Sequence, residues 1–274
     1  MHSKNFRGTD DEKYKKKNIL IIGSKWSGMD MLFQFLGAKD ESKMADFNTI
    51  TVAQGNFGFL DKSTNFKKYY DEEKVIIKSA NKMVFSEDKV QFEDGSETQI
   101  DVVIFCTGYQ YKFPFLKDES IIKIEHNGQY FGPTYKRIFS AKDPTLIFIG
   151  NIDGPTLEFY IERHAILAKY FIEGKLKLPT SEEMVADAEQ FMAEVPDAPS
   201  YYKSPPDVHF KLFGVLHQLL LDSGIDAPPL NEEFYKKQQE LTSLALQSLC
   251  SGDYLDFKSL DCKGYEVSDS SEFF

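Results

Sequence analysis

The sequence predicts an α/β fold whose central strands form a parallel sheet buried on both faces. Short uninterrupted apolar runs are typical of such strands, and runs of this kind lie at Ile19–Ile22, Ile50–Ala53, Ile100–Phe105 and Leu146–Ile149. The first and the last of these runs end at a glycine and are followed by a segment with helical periodicity. Between the second and third runs, shorter β segments alternate with turn signals, which predicts a smaller β region beside the parallel sheet.

Length and composition exclude several classes of protein. The 274 residues suffice for one large domain or two small ones, and a net charge of −11 gives nucleic acid no electrostatic reason to bind. The three cysteines, Cys106, Cys250 and Cys262, form no CxxC pair, and no two histidines lie at metal-ligand spacing, so no metal site is predicted. Sparse cysteines fit a reducing compartment, which favours a cytoplasmic protein. The longest apolar run, Leu212–Leu221, is too short and too polar to span a bilayer.

The first half of the chain predicts a strand–turn–helix unit followed by a β region. The polar residues 1–17 are expected to be mobile. Asp94-Gly95 is a strong signal for a tight hairpin. The elements predicted in chain order are a strand at Ile19–Ile22, a helix from about Ser27 to Leu36 closed by Gly37, a strand at Ile50–Ala53, short β segments at Val75–Ile77, Met83–Phe85 and Val90–Phe92, and a strand at Ile100–Phe105.

The second half predicts one more buried strand and then helices. Pro196–Pro206 is predicted to be a linker, and the acidic, serine-rich end of the chain is predicted to be disordered. The predicted elements are a strand at Leu146–Ile149 ending at Gly150, helices at 157–171 and 182–194 with Gly174 ending the first and Ser181 as N-cap of the second, and helices at 208–223 and 231–249.

The turn after the first strand has the pattern of a dinucleotide-binding site. A strand–glycine–helix turn directs backbone N–H groups and the positive end of a helix dipole at one point, which suits a pyrophosphate. The usual motif is G-x-G-x-x-G, and the candidate cofactor-binding residues here are Gly23, Ser24, Lys25, Trp26, Ser27, Gly28, Met29 and Asp30.

This turn departs from the usual motif at its middle glycine, which is replaced by Lys25. The ammonium of Lys25 can compensate by charge and the hydroxyls of Ser24 and Ser27 can donate, although a Cβ at this position narrows the approach to the backbone. A turn that serves only helix–strand packing is the alternative. An acid after the second strand would select NAD and an arginine NADP, but this chain has Gln54, Gly55 and Asn56 there, so the sequence does not determine the cofactor preference. The basic residues downstream, Lys62, Lys67 and Lys68, either contact the nucleotide or belong to a solvated loop, and the latter is favoured.

Two further groups of residues each have a functional and a structural interpretation. Glu158, Glu162 and His164 share one helical neighbourhood and are either an acid–base pair or ordinary polar helix residues, and the latter is favoured. Cys106 follows an apolar strand and is expected to be an inert buried cysteine rather than a reactive thiol. No catalytic residue is therefore assigned.

Several collinear motifs resemble those of flavin-containing monooxygenases. His2, Ser3 and Phe6 resemble the end of that family's fingerprint, F-x-G-x-x-x-H-x-x-x-[YF]. The resemblance covers residues 2–235. The other motifs that carry it are the Gly23–Asp30 turn, Asp94-Gly95-Ser96, Asp101–Tyr109, Phe113–Leu116, Gly132–Phe139, Pro144–Gly150, the helix through Arg163, and Gly174–Pro179 with Glu182–Met184.

The resemblance implies a fold class and a domain organisation. It implies an α/β protein with a Rossmann-like NAD(P)-binding domain and the C-terminal part of a second, incomplete α/β FAD-type domain. Thr107, Gly108 and Tyr109 resemble the linker that returns the chain to the FAD domain, and they are candidate cofactor-binding residues on the flavin side. The expected domains are 8–105 for NADP binding, 106–200 for the FAD-type portion, 201–250 for a helical C-terminal extension and 251–274 for a disordered acidic tail.

The sequence also departs from the family at the flavin. The glycine-rich motif that grips FAD in the family has no counterpart here, nor does the family's active-site asparagine, so the chain resembles an N-terminally truncated member. Glu162 and His164 stand where the family carries a glutamine and an arginine. NADP(H) is the cofactor that the resemblance favours, while FAD binding by this chain is doubtful.

The missing flavin motif also affects the Leu146–Ile149 strand. Its usual neighbour would be an absent strand, so one edge is expected to be unpaired and to expose apolar side chains. The expectation is that the chain remodels, is a fragment of a longer product, or covers this edge with a protein partner or a second copy of itself.

Two functions from different classes follow. The resemblance implies NADPH- and O2-dependent oxygenation of a nitrogen or sulfur atom in a small-molecule substrate, weak or absent in this chain by itself. The alternative is a non-catalytic, degenerate nucleotide-binding or interaction module. No nucleic-acid partner and no transmembrane segment are expected, and peripheral association with the endoplasmic reticulum stays open.

Overall fold

The structure is a computed structural model that describes residues 1–37, 41–55, 67–151, 157–194, 206–225 and 240. The described residues belong to two compact units. The first contains Met1–Thr107, and the second runs from Gly108 to Ser243. The predicted helix at 231–249 and the predicted tail at 251–274 lie outside the described residues, except for position 240.

The first unit is built on a four-stranded parallel sheet with the order β3-β2-β1-β7. An antiparallel sheet of β4, β5 and β6 follows β3 in the chain, and its hairpin turn contains Asp94-Gly95 as predicted. The strands are β1 (Asn18–Ile22), β2 (Thr49–Gln54), β3 (Val75–Ser79), β4 (Met83–Phe85), β5 (Lys89–Phe92), β6 (Glu97–Gln99) and β7 (Val102–Phe105), and the helices are α1 (Trp26–Leu36) and α2 (Lys67–Asp71).

The parallel sheet is buried on both faces, because successive side chains of a strand point to opposite sides. Ile19 and Ile21 of β1 pack in one hydrophobic cluster with α1. Leu20 and Ile22 pack on the other face with Ala53 of β2 and with apolar residues of β5. The uninterrupted apolar run that predicted a doubly covered strand is therefore confirmed. The predicted helix end is also confirmed, since Gly37 caps α1 in the left-handed region with φ +60°.

The prediction of a mobile N-terminal segment was wrong. Met1 and His2 run parallel to β7, where the Phe105 N–H donates to the Met1 carbonyl at 2.8 Å. Two aromatic side chains of the segment, Phe6 and Tyr14, are buried in the cluster that contains α1. Because the segment is mostly polar, its sequence did not indicate that these two side chains are buried. Their burial depends on residues far along the chain.

The described part of the second unit combines short β pairs with three α-helices. The elements are β8 (Lys123–Glu125), β9 (Tyr130–Gly132), β10 (Thr134–Tyr135), β11 (Phe139–Ser140), α3 (Leu157–Ile172), α4 (Ser181–Glu194) and α5 (Pro206–Asp222). Side chains from all three helices share one hydrophobic cluster with β10 and β11. The predicted helices at 157–171, 182–194 and 208–223 are thus confirmed.

The N-cap of α4 differs from the prediction. Thr180, and not Ser181, caps the helix: the Glu183 N–H donates to the Thr180 hydroxyl at 3.3 Å, and the Thr180 N–H donates to the Glu183 carboxylate at 2.9 Å. This reciprocal pair is a capping box. The Ser181 hydroxyl instead donates to the Ala141 carbonyl. Both residues suit an N-cap by type, and the acid three positions after Thr180 decides between them.

The predicted buried strand at Leu146–Ile149 is not formed. Ile147 makes only an isolated antiparallel bridge with Phe139 of β11, and Ile149 is 54% exposed. An apolar run becomes a buried strand only where other strands flank it and cover its faces. Within the described part of the chain, β11 is the one strand that this run meets, and β11 is two residues long.

Candidate functional site

The turn between β1 and α1 is shaped by its two glycines. Gly23 has φ +100°, and a Cβ on it would lie 2.4 Å from the Cys106 carbonyl oxygen. A Cβ on Gly28 would lie 1.9 Å from the carbonyl oxygen of Gly23. Only glycine fits either position, because these distances are far below van der Waals contact. The close packing of β1, α1 and the end of β7 therefore requires glycine at both Gly23 and Gly28, the two glycines of the motif.

The N-terminus of α1 opens at this turn. Lys25 occupies the N-cap position in extended conformation, with φ −76° and ψ −166°, and its side chain makes no capping hydrogen bond. Because the first N–H groups of a helix lack carbonyl partners within the helix, an uncapped N-terminus suits an anion. Trp26, the first residue of α1, is 42% exposed beside it.

Ser24 is the buried polar group of the turn. It is 2% exposed, and its hydroxyl has no hydrogen-bond partner. An unsatisfied buried hydroxyl costs about 1–3 kcal/mol, a cost that a hydrogen-bond partner would remove. Thr51 of β2 is a second buried hydroxyl without a partner, but it lies within a strand and away from the turn.

The remaining residues of the predicted turn divide between the turn and the helix. Ser27 is half-buried in the first turn of α1. Met29 is part of the hydrophobic core. Asp30 is exposed and accepts a hydrogen bond from Gln34 at 3.0 Å. The structure thus places backbone, Ser24 and Trp26 at the turn, whereas the Met29 side chain serves packing.

The candidate residues on the flavin side are exposed. Tyr109 is 65% exposed. Gly108 has φ +88°, and a Cβ on it would have no atom within 4 Å. Thr107 is also exposed.

The expectation of an inert Cys106 agrees with the structure. Cys106 is 5% exposed, and burial raises the pKa of its thiol to about 11. A thiol is a nucleophile only as the thiolate. Cys106 is therefore a packing residue beneath the glycine turn.

The structure does not assemble an acid–base pair from Glu162 and His164. The Glu162 side chain is 65% exposed and lies 3.5 Å from Arg163. His164 is fully buried, and its Nδ1 accepts a hydrogen bond from the Gly150 N–H at 3.3 Å. Burial lowers the pKa of His164 to about 4, with a smaller contribution from Arg137. The side chain of Glu158 lies outside the described residues.

Sequence reasoning missed several buried polar residues in the second unit. The Arg137 guanidinium donates to the carbonyl and the side-chain oxygen of Asn151, at 3.1 and 3.2 Å. His217 of α5 is 4% exposed, and burial lowers its pKa. Single polar residues within apolar stretches were the only sequence signal for these positions, and exposed helix faces carry polar residues as well.

Among the described side chains, no three His, Cys, Asp or Glu residues come together to hold a metal ion. No helix in the described ranges is both long enough and apolar enough to cross a membrane.

A family model and two relatives place this chain in one family. A sequence model described as flavin-binding monooxygenase-like matches residues 71–211. A trimethylamine monooxygenase of Methylocella silvestris is 32% identical over 195 residues, which are 70% of this chain and 38% of that protein. The flavin-containing monooxygenase FMO GS-OX5 of Arabidopsis thaliana is 28% identical over 196 residues, covering 71% of this chain and 39% of that one.

Solved structures of similar fold include two proteins of this kind. The S-allyl-L-cysteine S-oxygenase of Allium sativum superposes with a TM-score of 0.66 at 24% identity, over 91% of this chain and 54% of that chain. Tmm of a Pelagibacter species superposes with a TM-score of 0.62 at 25% identity, over 89% of this chain and 51% of that chain. The chain thus spans about half of these structures, whose mixed α/β folds confirm the predicted fold class.

The family match covers more than half of the chain, and it includes the strand that ends beneath the glycine turn. Members of the family are oxidoreductases, namely flavoprotein monooxygenases that use FAD and NADPH. The chain belongs to the flavin-binding monooxygenase-like family.

Proposed function

We propose that the first unit, as the NADP-binding domain predicted at 8–105, binds NADPH with the pyrophosphate at the Gly23–Asp30 turn. The chain would contribute this nucleotide to NADPH- and O2-dependent oxygenation of a small nitrogen or sulfur compound. Relatives named trimethylamine monooxygenase and S-allyl-L-cysteine S-oxygenase support both substrate classes. A bound NADPH supplies a hydride, and the protein supplies binding and orientation.

The observation that carries the proposal is the buried, unpartnered hydroxyl of Ser24 next to an uncapped helix N-terminus. A turn that served only packing would need Gly23 and Gly28, but it would have no use for a polar atom without a partner. Alanine would fill the position of Ser24 without the desolvation cost. A phosphate oxygen satisfies both the hydroxyl and the free N–H groups of α1.

The described residues do not fit FAD in the same way. Thr107, Gly108 and Tyr109 are exposed, and none of them presents a buried polar atom that awaits a ligand. NADPH is therefore the cofactor that we assign to this chain. It follows that the isolated chain gives little or no monooxygenase turnover.

The alternative function is a non-catalytic interaction module. Exposed apolar side chains of the second unit favour it, among them Phe115 at 66% and Ile149 at 54% exposure. Ring contacts join Phe115 to Phe113 and Phe113 to Phe148, which lies next to Ile149 in the chain, and a contiguous exposed apolar patch of this kind is typical of a surface that binds a partner.

Fluorescence of Trp26 tests the proposal directly. The chain has a single tryptophan, and it lies at the proposed site, so bound NADPH is expected to quench its emission and to saturate on titration. Absorbance of the purified protein in the flavin region provides a second measurement, and a colourless protein that binds NADPH is the expected result. A protein that leaves Trp26 emission unchanged with NADPH, and elutes with a protein partner, would establish the interaction module instead.

A further inference from the structure

We propose that the second unit binds a small inorganic anion such as chloride, held by the buried side chains of Asn151 and His164 beside the Arg137 guanidinium. The proposed nucleotide turn belongs to the first unit, and the proposed function makes no use of these three residues. The anion site is therefore an addition to that function and does not depend on it.

Hydrogen bonds join the three side chains into one cluster. The Arg137 guanidinium donates to the carbonyl and side-chain oxygens of Asn151. The N–H of Gly150, the preceding residue, donates to Nδ1 of His164 at 3.3 Å. Arg137, Asn151 and His164 are 8%, 5% and 0% exposed, so the cluster is almost wholly shielded from solvent. An ion bound there has to be small.

These hydrogen bonds also determine which atoms of the cluster are donors. A guanidinium can only donate, so the Asn151 atom that faces it is the oxygen, and Nδ2 is the donor end of the amide. Burial keeps His164 neutral, with a pKa of about 4. Because Nδ1 of this neutral ring accepts from Gly150, the proton of the ring lies on Nε2. Asn151 Nδ2 and His164 Nε2 are both buried, and neither has a hydrogen-bond partner.

Two donors without acceptors match an anion better than a water molecule. A water that accepts from both donors still has two protons that need acceptors, whereas an anion needs donors alone. The positive charge of Arg137 contributes to the lowered pKa of His164. Its field therefore extends to the imidazole, and the same field attracts an anion.

His217 of α5 shows the contrasting case. Both of its ring nitrogens are buried and lack partners, and a neutral imidazole has one donor and one acceptor. A water molecule can satisfy both. His217 therefore provides a buried histidine of the same unit that does not call for an anion.

The turn between β10 and β11 holds Arg137 in an unfavourable backbone conformation. Lys136 and Arg137 have φ +51° and +65°, in the left-handed region that non-glycine residues rarely adopt. Such conformations persist where surrounding contacts hold them, and they are frequent at binding sites. The Lys136 ammonium pairs with Asp187 of α4, and the Arg137 guanidinium is held by Asn151. Asn-Gly would form a turn of this kind without strain, so the sequence retains a buried guanidinium at the expense of backbone strain.

Thermal unfolding in two sodium salts tests the proposal. The midpoint is measured in chloride and in gluconate at equal ionic strength, because gluconate is too large for a buried site. Chloride is expected to raise the midpoint relative to gluconate, and the rise should saturate. At about ten times its dissociation constant, a bound ion favours the folded chain about elevenfold. The linewidth of the chloride NMR signal measures binding directly, and added bromide is expected to reverse the broadening.

Two substitutions remove the donors while keeping the contacts that hold them. Asn151→Asp keeps an oxygen that accepts from Arg137 and replaces Nδ2 by a second carboxylate oxygen. His164→Asn places an acceptor near the position of Nδ1 and has no group at the position of Nε2. Both are expected to lose the chloride-dependent rise and the broadening. His217→Asn is the matched control, and it is expected to retain them.

Two results would overturn the proposal. One is an unaltered chain with equal midpoints in chloride and gluconate and no broadening of the chloride signal. The other is a chloride response that persists in both Asn151→Asp and His164→Asn, since the ion then binds elsewhere. The midpoint in gluconate shows that each variant is folded. Trp26 quenching by NADPH is measured on the same protein, so a failure of the proposed nucleotide site is recognised separately.

Discussion

The hydroxyl of Ser24 allows a substitution that separates a ligand-binding role from a structural one. In Ser24→Ala, a buried hydroxyl without a partner is removed, so the free energy of unfolding of the protein without ligand is expected to stay unchanged or to rise by about 1 kcal/mol. The same change removes one hydrogen bond to a charged phosphate, worth about 1.5–3 kcal/mol. NADPH is therefore expected to bind about ten- to a hundredfold more weakly.

Thr51 provides the matched control for this substitution. Its hydroxyl is also buried and unpartnered, at 1% exposure, but it lies inside β2 and not at the glycine turn. Thr51→Val keeps the shape of the side chain and removes the polar atom. It is expected to raise the free energy of unfolding by about 1 kcal/mol and to leave NADPH affinity unaltered.

Two measurements on the same proteins distinguish a ligand-binding role of the Ser24 hydroxyl from a structural one. Urea unfolding gives the free energy of unfolding without ligand, and quenching of Trp26 emission gives the dissociation constant for NADPH. If Ser24→Ala lowers the free energy of unfolding and leaves the dissociation constant unchanged, the hydroxyl has a structural partner and the reasoning about the turn is refuted.

Three further predictions concern pH, packing and thiol chemistry. Because the pKa of His164 falls from 6.5 to about 4 on folding, protons bind mainly to the unfolded chain between these pH values. The free energy of unfolding should therefore fall by about 3 kcal/mol as the pH is lowered through this range, and urea unfolding of His164→Asn should show a smaller fall. Gly28→Ala places a Cβ 1.9 Å from a backbone oxygen and should lower the thermal midpoint strongly or prevent folding, whereas Gly55→Ala meets no atom within 4 Å and should leave the midpoint nearly unchanged. Cys106, with its raised pKa, should resist iodoacetamide at about pH 8 in the folded protein and react after unfolding. Peptide mass spectrometry locates the label, and rapid labelling of Cys106 in the folded protein would contradict its burial.

The part of the site that sequence reasoning predicted is local. The strand at β1, the turn glycines, the helix α1 and its cap at Gly37 lie within a short stretch of chain. Each depends on neighbouring residues: apolar runs, backbone conformations that favour glycine, and helical periodicity. Such signals survive in a single sequence because few distant contacts are needed to realise them.

The errors concern pairing over long distances. Leu146–Ile149 has the composition of a buried strand, but strands are stabilised by partners that composition does not specify. The N-terminal segment has a polar composition, but Phe6 and Tyr14 anchor it to α1, and its backbone extends the sheet at β7. Both outcomes were decided by what each segment meets in space.

By itself, the sequence determined the α/β class, the position of the glycine turn and the family, because these follow from local patterns and from the order of motifs. Only the tertiary structure decided that the Ser24 hydroxyl is buried without a partner, that Asn151 and His164 each bury a donor without an acceptor, and that Ile149 remains exposed. The physical reason is that burial, hydrogen-bond satisfaction and strand register depend on contacts between distant residues. A sequence gives the chemical groups, and packing decides which of them are left to bind a ligand.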